Sequence, residues 1–449
     1  MDIAVAGGKA HPRHHLLKIL GVTFGVAVAI GQIIGSGILR SPSIIAGEVP
    51  GIGLIIGLWV LGAIQVSLAA NLFAELATAI PRTGGAYNYV HRTMGNVFGL
   101  VVGWGDWLSN LAGAAAASVS FAEVLPLLVP AAATHKIAVA LSLQIALYIA
   151  NITGLREGRA VQELTSFTKA ALLLVFIVAA VIVVAPAEPQ TVLSSPAAFK
   201  WANLILAYQL VMGAYAGWAT PAYFTAENAE PGRAIPRALF FGILVTALLY
   251  VGVNWALLQA LSPAGVASSP LPFSLVLSKV GGSIPGMLFA LGALITVASC
   301  SNACIMAAPR ILFALGSDRL LPRMFTTVNA GGSPYIAYLM TAAGTLALAA
   351  SGGFALVFGL IATLNAAVGL LADLAFWILR VREPQLPRPY RAVGYPILPA
   401  IPVAVDASLV VLFTAADYRG GLVALGLGLL CIPFALIAHH ARRSTPAVG

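Results

Sequence analysis

The chain has 449 residues, 60% of them hydrophobic and 9% charged, with a formal net charge of +9 and a mean hydropathy of +0.95. Soluble domains carry about a quarter charged residues, and 24 basic with 15 acidic side chains neither cover this much apolar surface nor keep it disordered. Composition therefore excludes a soluble enzyme and a nucleic-acid binder, and it specifies an all-α integral membrane protein with many spans.

A membrane-crossing helix needs about 20 apolar residues. Twelve runs qualify, at 17–44, 51–79, 96–128, 137–150, 162–185, 202–225, 235–260, 285–315, 334–350, 354–380, 397–415 and 422–438. The shortest is 137–150, and 285–315 is long enough to tilt or extend beyond the bilayer. The first run follows a polar N-terminus (1–16) and is too long and too glycine-broken for a signal peptide. It contains Gly31-Gln32-Ile33-Ile34-Gly35-Ser36-Gly37, where three glycines weaken a helix at mid-membrane depth. In the third run, Gly95, Gly99 and Gly103 at spacing four fit close helix packing, and Asp106 sits between Trp104 and Trp107. Lys169 lies about seven residues into the fifth run, roughly 10 Å deep at 1.5 Å per residue. The sixth run is again broken, at Gly213-Ala214-Tyr215-Ala216-Gly217-Trp218 before Pro221. Asn302 and Arg310 fall in the eighth run.

With the N-terminus inside, 18 Lys and Arg fall on the inner side and 5 on the outer side, Arg310 being counted as inner. This asymmetry supports twelve spans with a cytoplasmic N-terminus and a cytoplasmic C-terminus at 439–449. Lys169 is the one basic residue that orientation does not need. Spans 1–5 (17–185) and 6–10 (202–380) then have opposite topology, followed by two more helices at 397–438. Interruptions at corresponding places of inverted halves mark the binding site of a secondary transporter. Unwound backbone is tolerated at that depth only beside protein or a water-filled cavity. Freed amides at a half-helix N-terminus suit a carboxylate, and freed carbonyls suit an ammonium. A zwitterionic amino acid has both. The seven histidines all lie at termini or in loops, so neither a metal site nor a Ser-His pair forms within the spans. No catalytic residue, metal or cofactor is expected.

These residues carry a family resemblance. Gly35-Ser36-Gly37-Ile38, Ala74-Glu75-Leu76 with Pro81, Gly84-Gly85 and Tyr87, Ala214-Tyr215-Ala216-Gly217-Trp218, and Glu227 with Pro231, Arg233 and Pro236 resemble, in order, the amino acid–polyamine–organocation superfamily and within it the L-type amino acid transporters. Asn302, Arg310, Leu321-Pro322 and Arg388-Pro389-Tyr390 extend the likeness over nearly the whole chain. The resemblance implies a LeuT-like fold of five-plus-five inverted repeats with discontinuous helices 1 and 6, and alternating access around a central amino-acid site. It implies that the amides of Gly35, Ser36 and Gly37 hold the substrate carboxylate. Ile33 and Gly213, Ala214, Tyr215 and Ala216 would hold the amino group, with Asn302 at the border. Lys169 would replace a sodium ion and bond carbonyls near Gly31. Trp218, Glu75, Glu227 and Arg233 belong to gating and the inner ionic network, and Asp106 is a proton-site candidate.

Two departures stand out. The family's bulky aromatic is missing at Gly213, leaving Tyr215 or Tyr208 to close the pocket. The loop 129–136 has no cysteine, so no disulfide-linked heavy chain is expected, and no other protein partner is evident. The expected function is sodium-independent exchange or uniport of amino acids across the cell membrane. Neutral side chains are favoured, because no charged partner faces the pocket from helix 1 or 6. Proton-coupled symport of an amino acid or amine is the alternative, and a non-transporting sensor the third reading.

Overall fold

The first apolar run forms two helices rather than one. A computed structural model describes residues 21–416 except 154, 184–200, 270, 271, 282, 330, 352 and 353, together with a few residues between 422 and 432. In it the run divides into α1 (Val22–Ile33) and α2 (Ser36–Glu48), with a 41° bend between them. α3 (Ile52–Ala79) forms the second span, and α5 (Asn96–Val124) forms the third. The segment between them, read from sequence as a loop, winds into α4 (Ala86–Met94), entered through Gly84 (φ +116°) and Gly85 (φ +60°). α6 (Lys136–Thr153) and α7 (Leu155–Val183) complete the first set.

The sixth run breaks as its glycines predict. α8 (Trp201–Tyr215) ends in a turn, and the chain resumes as a 3₁₀ helix at Thr220–Glu227. Then follow α9 (Pro231–Ala267), kinked at Ser262, α10 (Pro272–Gly281), α11 (Ser283–Ser317), α12 (Tyr335–Ser351), α13 (Phe354–Arg382) and α14 (Ile397–Ala416). α10 occupies a stretch that the sequence marks only as a connection.

Among the described residues, eight helices are long and apolar enough to cross a membrane, or nine if α1 and α2 count as one bent span. The chain is thus an all-helical, multi-pass membrane protein. Eleven of the twelve predicted runs coincide with helices. The terminal segments 1–16 and 439–449, most of the connection 186–201 and most of the run 422–438 lie outside the described residues.

The packing pairs repeat. α5 packs on α13 as α7 packs on α11, α1 on α9 as α3 on α8, and α5 on α6 as α11 on α12. Each pair becomes the other when every span is exchanged for its counterpart five spans away. The core contact is α5 against α11, and the two broken spans lie beside it, where their exposed backbone is surrounded by protein.

Candidate functional site

A helix that ends inside an apolar bundle frees carbonyls that need donors. At the end of α1 each has a donor within reach. Ile30 O accepts from Ile34 N at 3.0 Å. Gly31 O and Ile34 O accept from Lys169 Nζ at 2.5 and 2.6 Å. Gln32 O accepts from Cys300 Sγ at 3.4 Å, and Ile33 O from Tyr250 Oη at 2.7 Å. Lys169 is fully buried on α7, so its charge is matched by the carbonyl end of the α1 dipole.

Three residues further on, α2 starts with no side-chain cap, and Gly35, Ser36 and Gly37 line a cavity of about 230 Å³. Water occupies about 30 Å³ per molecule in the liquid, so the space suits a small solute. Ile33 and Gly213, Ala214 and Ala216 of the second break line the same cavity. Tyr250 Oη lies 2.7 Å from Ile33 O and 3.0 Å from Ala214 O. A hydroxyl has one proton, so one of these two carbonyls always keeps its acceptor for an ammonium. The breaks touch directly, since a Cβ on Gly37 would come within 2.8 Å of Ala214 Cα.

A polar chain ties both breaks to α5. Thr220 Oγ1 donates to Gln32 Oε1, and Gln32 Nε2 donates to Asn110 Oδ1 at 3.0 Å. Asn110 Nδ2 bonds Asp106 at 3.2 Å, and Tyr223 Oη donates to the Asp106 carboxylate at 2.6–2.7 Å. Gly217 makes this closeness feasible: its φ is +93°, and a Cβ would lie 2.4 Å from Gln32 Cγ. Gly217→Ala combines a left-handed backbone, about 1–2 kcal/mol for an L-residue, with that clash. It is expected to lower the melting temperature in detergent and to cut substrate uptake severalfold, while expression and oligomeric profile persist.

Several predicted residues fall elsewhere. Tyr215 does not line the cavity: it is fully buried, its hydroxyl donates to Trp59 O at 3.2 Å, and its ring packs on Trp59 and Tyr250. The alternative closing residue, Tyr208, is also absent from the lining. Trp218 does line it, edge-on to Phe73 with ring centroids 4.9 Å apart. These two place aromatic bulk where Gly213 has none. Asn302 is likewise buried away from the cavity, donating to Gln162 Oε1 at 2.8 Å and accepting from Asn151 Nδ2 at 2.7 Å. Sequence reasoning passed over Gln32, Asn110, Thr220, Tyr223 and Tyr250. A polar residue set between glycines in an apolar run was the available signal for Gln32.

The expected ionic network resolves into separate pairs. Glu227 and Arg310 are both fully buried and bond bidentately at 2.5 and 2.9 Å, with the guanidinium 4.4 Å from the Phe224 ring centroid. Glu75 takes Arg380 and, at 2.9 Å, Arg388, and it accepts from Ala392 N. Arg233 is exposed and belongs to neither pair. Arg310, counted from sequence among the inner-side charges that set orientation, is instead a core residue of α11. At the same end of the bundle Arg92 bonds Glu383 bidentately at 2.5–2.9 Å, which holds the Glu383 carboxyl below its ordinary range. Across the bundle, Arg40 of α2 pairs with Glu123 of α5.

Two broken helices that present amides and carbonyls to a shared cavity define a membrane carrier rather than an enzyme. The chain belongs to the amino acid permease family, whose profile matches residues 21–425. It is 26% identical to the branched-chain amino acid permease BcaP of Bacillus subtilis, over 86% of each chain. It is 27% identical to the serine/threonine exchanger SteT of the same organism, over 68% of this chain and 70% of that one. The mouse Asc-type amino acid transporter 1 is 25% identical, over 85% of this chain and 74% of its own.

Proposed function

We propose that the protein carries amino acids across the cell membrane by alternating access, as a sodium-independent exchanger or uniporter of neutral substrates. The observation that carries this is one small cavity lined both by Gly35, Ser36 and Gly37 at the uncapped start of α2 and by Ile33 and Ala214, whose carbonyls share the Tyr250 hydroxyl. A carboxylate fits the first and an ammonium the second. The relatives named for serine and threonine or for branched-chain substrates agree with a neutral side chain. Lys169 supports sodium independence, because its ammonium already bonds the carbonyls that a sodium ion would use. The repeating packing pairs support a LeuT-like five-plus-five arrangement with two further helices. The excess of basic residues at the α4 end of the bundle supports cytoplasmic termini. The two-part repeat boundaries at 17–185 and 202–380, twelve spans, and a chain that works without a heavy chain complete this reading.

The test is a melting-temperature screen of the purified protein across amino acids and amines, followed by counterflow of the best hit in sodium-free proteoliposomes. Stabilisation by amino acids and counterflow without sodium are expected. Gly213→Phe should then narrow acceptance toward small side chains by about tenfold, since one to two kcal/mol separates a fitting from a crowded side chain. Binding without any counterflow would return the sensor reading.

A further inference from the structure

Two carboxylates on the cavity wall take no part in the site described above. Asp373 of α13 and Asp406 of α14 both line the cavity. Gly369 stands one turn before Asp373 on the same face of α13, and a Cβ there would lie 2.6 Å from Asp406 Oδ2. Residues four apart on a helix have Cβ atoms about 6 Å apart, so the two carboxylates are near neighbours. They repel one another. Asp373 is 1% exposed, and neither of its oxygens has a hydrogen-bond partner. Asp406 receives a long contact from Gln65 Nε2, at 3.4 Å.

Among the described residues no Lys, Arg or His lines the cavity. On α13 itself Arg380 is engaged with Glu75 of α3, and Arg382 donates to Thr93 O. From α8, Tyr208 is the titratable group near Asp406. From α5, Asp106 faces the same cavity but already accepts from Tyr223 and Asn110. From α4, Tyr89 is buried, while His91 and Arg92 are held by Asp318 and Glu383. A buried carboxylate beside a half-buried one, with no counter-charge on the cavity wall, favours uptake of one positive charge.

We propose that Asp373 and Asp406 form a site for one hydrogen-bond-donating positive charge on the cavity wall, filled by a proton that moves with a neutral substrate. The inference rests on the carrier reading above and adds a coupling ion to it. The shared chemistry of the site admits one other source, the side-chain ammonium of a cationic amino acid reaching across the cavity past Gly213. Asp106, which sequence singles out as the proton candidate, already accepts from Tyr223 and Asn110, whereas Asp373 accepts from no donor.

The experiment uses the full chain in proteoliposomes with an internal pH dye, and L-leucine, L-serine and L-lysine as probes. Leucine or serine entry is expected to acidify the lumen, and an inward pH gradient is expected to raise accumulation at least tenfold. Asp373→Asn and Asp406→Asn should each abolish the acidification and the gradient response while counterflow continues. Acidification that survives in both variants, or that is lost only in Asp106→Asn, overturns the assignment. A melting shift by lysine in the wild type that disappears in Asp373→Asn supports the site with an ammonium as its occupant. Wild-type counterflow with neither proton movement nor a lysine response overturns the inference even where the variants do not fold, and it leaves the carrier reading standing. Absence of counterflow and of any melting shift removes the carrier reading instead.

Discussion

Lys169→Met is expected to abolish transport while leaving a folded, monodisperse protein. Methionine keeps the apolar stem but removes the ammonium at the α1 break, so the carbonyls of Gly31 and Ile34 lose this donor. An unsatisfied buried acceptor costs about 1–3 kcal/mol, and 1.4 kcal/mol is a factor of ten in an equilibrium. The arrangement of Gly35, Ser36 and Gly37 along the cavity should therefore fall in population by roughly five- to a hundredfold for each stranded carbonyl. Substrate-induced melting shifts and counterflow should fall together, because the geometry that binds is the geometry that is lost. Lys169→Gln keeps an N–H donor group on a shorter, uncharged side chain and should show an intermediate loss. Wild-type counterflow rates in Lys169→Met would sink the role assigned to the lysine, and so would an absolute sodium requirement of the unaltered protein.

Lysine at that depth was legible in sequence because a buried charge is costly and has no reason to stand in an apolar run unless something receives it. The two helix breaks were legible for a related reason: glycine clusters at matched places weaken a helix where lipid forbids exposed backbone. Alternation of long apolar runs with basic loops placed eleven of the helices. Other features were illegible because they depend on rotation about helix axes. Tyr215 and Ala214 are adjacent in sequence, yet the first turns into the Trp59–Tyr250 cluster while the second lines the cavity. Asn302 bonds Gln162 and Asn151 and does not line the cavity. The α4 helix was missed since its amphipathic turn carries too little hydrophobicity to stand out from a loop. Asp373 precedes Arg380 on the same helix, yet Arg380 pairs with Glu75 while Asp373 lines the cavity. Periodicity reports which residues are apolar together, not which neighbour a polar residue meets.

Arg310→Met is expected to be the most destabilising single substitution in the protein. Arg310 and Glu227 are each 0% exposed, and the guanidinium also bonds Met306 O at 2.5 Å and Tyr338 Oη at 3.1 Å. Removing one partner of a buried pair strands the other charge, at about 3–5 kcal/mol. Replacing both with apolar residues strands neither. The double variant Arg310→Met/Glu227→Leu should therefore melt higher than either Arg310→Met or Glu227→Leu alone. That ordering separates a lost pair from a lost side chain, since additive effects would place the double variant lowest. The pair also joins α11 to the 3₁₀ segment Thr220–Glu227, one turn beyond Tyr223 on the cavity wall. Under the alternating access proposed above, movement of the sixth span against the eighth at the α4 end would require this pair to part. Loss of the pair should accordingly favour the state open at that end. Cys300 lines the cavity and offers a native reporter: its labelling by a thiol reagent added at the α4 side should rise in the double variant. Unchanged labelling, with restored stability, would assign the pair to folding alone.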